Sequence, residues 1–195
     1  MDFTFLGISL ILGLRHASDP DHLVAVTSLV AADGGDLRGA SRLGAWWGAG
    51  HAATLMAIGV PLIALDSELP SWLESGAEKA VGVVIVLLAL RLAFTWFEAD
   101  EARSRRQAFA IGTLHGLAGT GAVVLLVIAG MGSQMEAIVA LALFAPMSMV
   151  SMTLCTSAFA WALTHPAVEP AQRTVLIPAL AAFGLMFGLW YAGMG

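Results

Sequence analysis

Apolar residues run in long blocks along this chain, and a short polar interruption closes each block. The first block extends from Phe3 to about Ala32. Later blocks cover about 43–65, 80–97, 109–131, 137–163 and 175–191. A bilayer crossing needs about 20 apolar residues. The pattern therefore predicts an all-α membrane protein, a single transmembrane domain of about six helices over residues 1–195. The first block is too long for one straight crossing, because thirty helical residues would reach about 45 Å. The polar stretch His16-Ala17-Ser18-Asp19-Pro20-Asp21-His22 interrupts it. The first helix is expected to tilt or to break, with the break at Pro20.

Composition agrees with lipid as the main solvent. Of 195 residues, 58% are hydrophobic and only 12% are charged, whereas a soluble domain carries about 25%. Mean hydropathy is +0.84. A net charge of −5 with no basic stripe gives no footing for a nucleic-acid partner. The single cysteine, Cys155, excludes an internal disulfide. Met1-Asp2-Phe3-Thr4-Phe5 has no basic region, so it does not read as a cleavable signal peptide.

Arginine placement gives an orientation. Arg38 and Arg42 lie in the first connector, Arg103, Arg105 and Arg106 in the third, and Arg173 in the fifth. Positive residues stay on the cytoplasmic side, so both termini are expected outside a bacterial plasma (inner) membrane. A Gly-x-x-His-small pattern recurs at Gly13–Ala17, Gly48–Ala52 and Gly112–Gly116. Its first and third copies open the first and fourth helices, which suggests a 3+3 inverted repeat.

The candidate chemistry lies in these same segments. On an unbroken helix Asp21 and His22 would point about 140° and 240° away from His16. Some of these groups would then face lipid, at high cost. Pro20 offers a way out, because its ring clashes with the carbonyl four residues back, that of His16. An unwound backbone would let His16, Asp21 and His22 converge, with the His16 carbonyl as a further possible ligand. Small-residue ridges at Gly44, Gly48 and Ala52 and at Gly112, Gly116 and Thr120 let helices approach closely. They are expected to turn the neighbouring His51 and His115 inward. Imidazoles with a carboxylate suit nickel, cobalt or zinc. The candidate metal ligands are therefore His16, Asp21, His22, His51 and His115.

Other residues have more ordinary readings. Met147, Met149, Met152 and Cys155 could line an ion path or simply pack. Asp19 has two roles open to it, orienting a histidine or capping the broken helix. Arg15, a fixed cation beside a cation site, is expected to pair with Asp19 or Asp21 or to snorkel. His165 reads as an interfacial residue. The acidic connector with Asp66, Glu68, Glu74 and Glu78 either concentrates cations at an outer mouth or is solvated loop.

The run His16-Ala17-Ser18-Asp19-Pro20-Asp21-His22, with Leu12–Arg15 and Leu23–Val26 around it, resembles the His-x4-Asp-His signature of the nickel/cobalt transporter superfamily. Leu114-His115-Gly116-Leu117-Ala118-Gly119-Thr120-Gly121 resembles its short members, some of which are associated with urease maturation. The resemblance implies that His16, Asp21 and His22 recognise metal. It also implies a urease or hydrogenase maturation context. The larger permeases have about eight helices and a Gly-His-Ser signature. Here Gly50-His51-Ala52 lacks the hydroxyl, and about six helices are expected in place of eight.

The expected function is a permease for Ni²⁺ or Co²⁺, with the ion as transported substrate, no organic cofactor and no enzymatic role. Uptake is the expected direction. A membrane-embedded metalloenzyme, an exporter, and a non-transporting sensor or structural subunit of a larger complex are the alternatives. A protonated imidazole cannot ligate, so affinity should fall as pH drops through the ordinary imidazole range.

Overall fold

The computed structural model describes residues 3–31, 37–94, 105–168 and 171–194. Among these, helices are the only regular elements. They are α1 (Phe3–His16), α2 (Pro20–Ala31), α3 (Leu37–Ala64), α4 (Ser71–Phe94), α5 (Arg105–Gly130) and α6 (Gln134–Leu163). A π-helical turn, Gln172–Leu176, then leads into α7 (Ile177–Met194).

Helices α3, α5 and α6 and the segment Thr174–Gly193 are long and apolar enough to cross a membrane. The elements thus define a multi-pass helical membrane protein. At 14 and 12 residues, α1 and α2 reach only about 21 and 18 Å, too short for either to cross alone. Helix α4 has 24 residues but carries Glu74, Glu78, Lys79 and Arg91.

The expected break in the first block is present, between His16 and Pro20. Most helices begin earlier than the hydropathy pattern suggested, because it marks the apolar stretch and not the first hydrogen-bonded turn. Arg38 and Arg42 lie in α3, Arg105 and Arg106 in α5, and Glu74 and Glu78 in α4. These residues were expected in connectors. Helix α6 starts at Gln134, where the Ser133 hydroxyl accepts from the Glu136 N–H. Asp33–Asp36, Glu98 and Arg103 fall outside the described residues.

Helix α3 is the hub, packed on α5 along one side and on α6 along another. Helix α1 lies on α6, α4 pairs with α7, and α2 reaches α4, α6 and α7. In lipid, no hydrophobic force drives helices together, so close backbone contact has to do that work. The glycines supply it. A methyl group on Gly48 would sit 2.8 Å from Met149 Cα on α6, and one on Gly116 would sit 2.7 Å from the His51 carbonyl on α3. Gly44 faces Thr156 of α6, and Gly112 faces the Trp47 carbonyl of α3. The Thr54 hydroxyl, beside Gly116, donates to the Thr113 carbonyl at 3.2 Å. The two ridges read from the sequence are therefore used on different partners, and His51 lies where they meet.

Candidate metal centre

The site starts with a broken helix. After α1 ends, Ser18 N donates to the Arg15 carbonyl at 2.8 Å and Asp19 N to the His16 carbonyl at 3.1 Å. Helix α2 then opens with Leu23 N on the Asp19 carbonyl at 2.9 Å. Pro20 is the first residue of α2, where a missing N–H costs nothing. A residue before proline is pushed out of the α region, so the chain unwinds ahead of Pro20. The His16 carbonyl was a further possible ligand. It is instead engaged by Asp19 N.

Helix α6 holds the break in place. The Ser151 hydroxyl donates to the Leu14 carbonyl and accepts from Ala17 N at 3.3 Å. Gly13 brings the two helices together, since a methyl group there would meet the Phe144 carbonyl at 2.6 Å. Two backbone groups freed by the break are thus satisfied by one buried hydroxyl, as buried polar backbone requires.

The break aims its histidines into the bundle. Ligand atoms of His16, His22 and His51 all lie within 4.8 Å of one another. His16 Nε2 and His51 Nε2 are 3.0 Å apart. The His22 ring lies 4.5 Å from that of His16 and 5.2 Å from those of both His51 and His115. His22, His51 and His115 are buried. His115 joins the cluster through His22, outside the three-ligand group.

The two aspartates act on histidines. Asp19 Oδ2 is 3.1 Å from His16 Nδ1, and Asp21 Oδ1 is 3.1 Å from His22 Nδ1. A carboxylate on one ring nitrogen fixes the tautomer and orientation, leaving the other nitrogen as the electron-pair donor. Of the two roles open to Asp19, its carboxylate takes the histidine, and its carbonyl opens α2.

A cavity of about 310 Å³ leads to the cluster. Arg15, His16, Asp19, Asp21 and His22 line one side of it, with α5 and Phe144 of α6 opposite. Arg15 was expected to pair with an aspartate or to snorkel, and it is exposed. Each aspartate is taken by a histidine, and no ion pair joins Arg15 to either among the described residues.

Three neighbours of the site escaped the sequence reading. Trp47 is buried, with its ring 5.5 Å from His22 and 5.6 Å from His115. Phe144 stands edge-on to His16 at 5.2 Å. Ser151 braces the break. Only Trp47 left a usable signal, since it lies one helical turn before His51 and so shares its face. The methionine run is mostly packing: Met152 is in the core, Met149 abuts Gly48 and Met147 abuts Gly13. His165 is exposed in the turn after α6 and accepts from Ala167 N at 3.2 Å.

A multi-pass helical protein with a buried, carboxylate-braced histidine cluster is the class this architecture defines. Urease accessory protein UreH of Bacillus sp. (strain TB-90) is 24% identical over 206 aligned positions, covering 96% of this chain and 90% of that protein. No family model matches the chain, and no solved structure matches it.

Proposed function

We propose that this protein is a permease that carries a divalent first-row metal ion, Ni²⁺ or Co²⁺, across the bacterial inner membrane. One observation carries the reading: three imidazoles, two of them buried, converge at a helix break, and two of the three are held by carboxylates. Ionisable groups inside a bilayer mark ion pathways, and imidazole suits these metals. His16, His22 and His51 are the first ligands in this reading. Asp21 acts through His22 and Asp19 through His16. The full-length likeness to a urease accessory protein fits a role in metal supply for urease maturation.

The reading completes the membrane topology. The α1–α2 pair makes one broken crossing, and α3 to α7 make five more, with both termini outside. The first and third Gly-x-x-His segments, which open the two halves, then supply His16 and His115 as two neighbours of His22, an arrangement that an inverted repeat would give. Uptake is the favoured direction, because a divalent cation gains about 4.6 kcal/mol per 100 mV of inside-negative potential, twice the single-charge value. The metalloenzyme alternative needs a general acid near the metal, and Asp19, the nearest candidate, is engaged by His16.

The test is metal uptake by proteoliposomes under an inside-negative potential. His16→Ala and His22→Ala are each expected to reduce Co²⁺ uptake to the level of empty liposomes. Unchanged uptake in both variants would overturn the reading.

A further inference from the structure

The three-histidine group leaves part of the cluster unexplained. His115 is buried with the Ile111 carbonyl, one turn back, as its polar neighbour, and His51 Nδ1, His22 Nε2 and Trp47 Nε1 are buried without a hydrogen-bond partner. A buried polar atom left unsatisfied costs about 1–3 kcal/mol, and such atoms are rare. Such atoms gathered in one cluster form a place prepared for something polar. They also have a direction. The His16 side chain is 11% exposed and lines the cavity, while His115 is 2% exposed and does not. The order from the cavity inward is therefore His16, then His22, then His115.

Resting on the permease reading, we infer that His115 belongs to a second cation position, deeper than the first and sharing His22 with it. His22 is equidistant from His51 and His115, at 5.2 Å between ring centroids. His51 turns Nε2 to His16, while its Nδ1 has no partner. An ion can therefore exchange the His16 ligand for His115 while keeping contact with the His22 ring, which neighbours both. Trp47 Nε1–H only donates, so it cannot ligate. It supports a water carried by the ion, and its ring walls off this end of the cluster against His22 and His115. Two overlapping positions suit transport, since an ion must be bound firmly enough to enter and weakly enough to leave.

The experiment compares Co²⁺ binding, read from its visible absorption bands in the purified full chain, with Co²⁺ uptake by proteoliposomes. His115→Gln and His115→Ala are expected to keep the first-position spectrum and affinity within about twofold, yet to slow uptake more than tenfold. His16→Ala is expected to lose the spectrum itself. If His115→Gln alters the spectrum as His16→Ala does, His115 is a ligand of the first position and the two-position inference falls. Unchanged uptake in both His115 variants also overturns it, leaving a trapped water as the partner of these nitrogens. If the unmutated protein gives no cobalt bands, the permease reading itself fails and this inference with it.

Discussion

Two prolines in contact regions of this bundle have opposite outcomes. At Pro20 the helix stops and restarts; at Pro146 α6 runs on without interruption. Both rings remove an N–H and crowd the carbonyl four residues back. For Pro146 that carbonyl belongs to Ala142, on an exposed face of α6, where no packed neighbour opposes the small adjustment that relieves the clash. For Pro20 it belongs to His16, and Ser18 and Asp19 lie between. Short polar side chains of this kind favour turns and helix starts over helix interiors. Ser151 then fixes the resulting turn from α6. Pro178 gives an intermediate outcome. The chain before it widens into a π-helical turn, Gln172–Leu176, and α7 continues, a known way to absorb a misfit in a helix. Proline permits a break, and the groups around it decide whether one forms.

The contrast can be broken most severely at Gly13. Leucine there has no room against the Phe144 carbonyl and Met147 Cβ. Gly13→Leu should push α1 off α6 and abolish Co²⁺ binding in titrations of purified protein. Gly7→Leu is the control, because nothing lies within 4 Å of Gly7, and it should bind normally. Asp21→Asn comes next. Loss of a carboxylate behind a metal-binding histidine weakens affinity by about 10- to 100-fold, and isothermal titration should show this without loss of stoichiometry. Full retention of affinity would mean that His22 is oriented by packing alone.

Smaller effects probe the brace. Ser151→Ala leaves Leu14 O and Ala17 N without their shared partner, at a cost of about 1–3 kcal/mol. The variant should unfold at a lower temperature and bind Co²⁺ more weakly than the unmutated protein. The smallest effect is expected at Pro146→Ala. Helix α6 is already continuous there, so affinity should stay within about twofold, or less than 0.5 kcal/mol. A large loss in that variant would show that Pro146 helps to place Phe144 and Ser151.

Much of this was legible before folding. Long apolar blocks can only be helices in a bilayer, since every backbone group must find its partner inside the segment. The polar run His16–His22 could not stay helical without facing lipid, so a break was legible too. The break sits one turn ahead of the proline, a shift that follows from the residue before proline and from side chains that compete for backbone.

Local sequence could say that His16, Asp19, Asp21 and His22 belong together, because they lie within six residues of one another. It could not say which nitrogen each aspartate takes, since that depends on the turn the chain adopts. The convergence of His51 and His115 on His22, the wall made by Trp47 and the brace from Ser151 were decided by tertiary structure alone. Those contacts join residues up to 137 positions apart. They exist because glycines on α1, α3 and α5 let backbones approach to distances that no other residue allows.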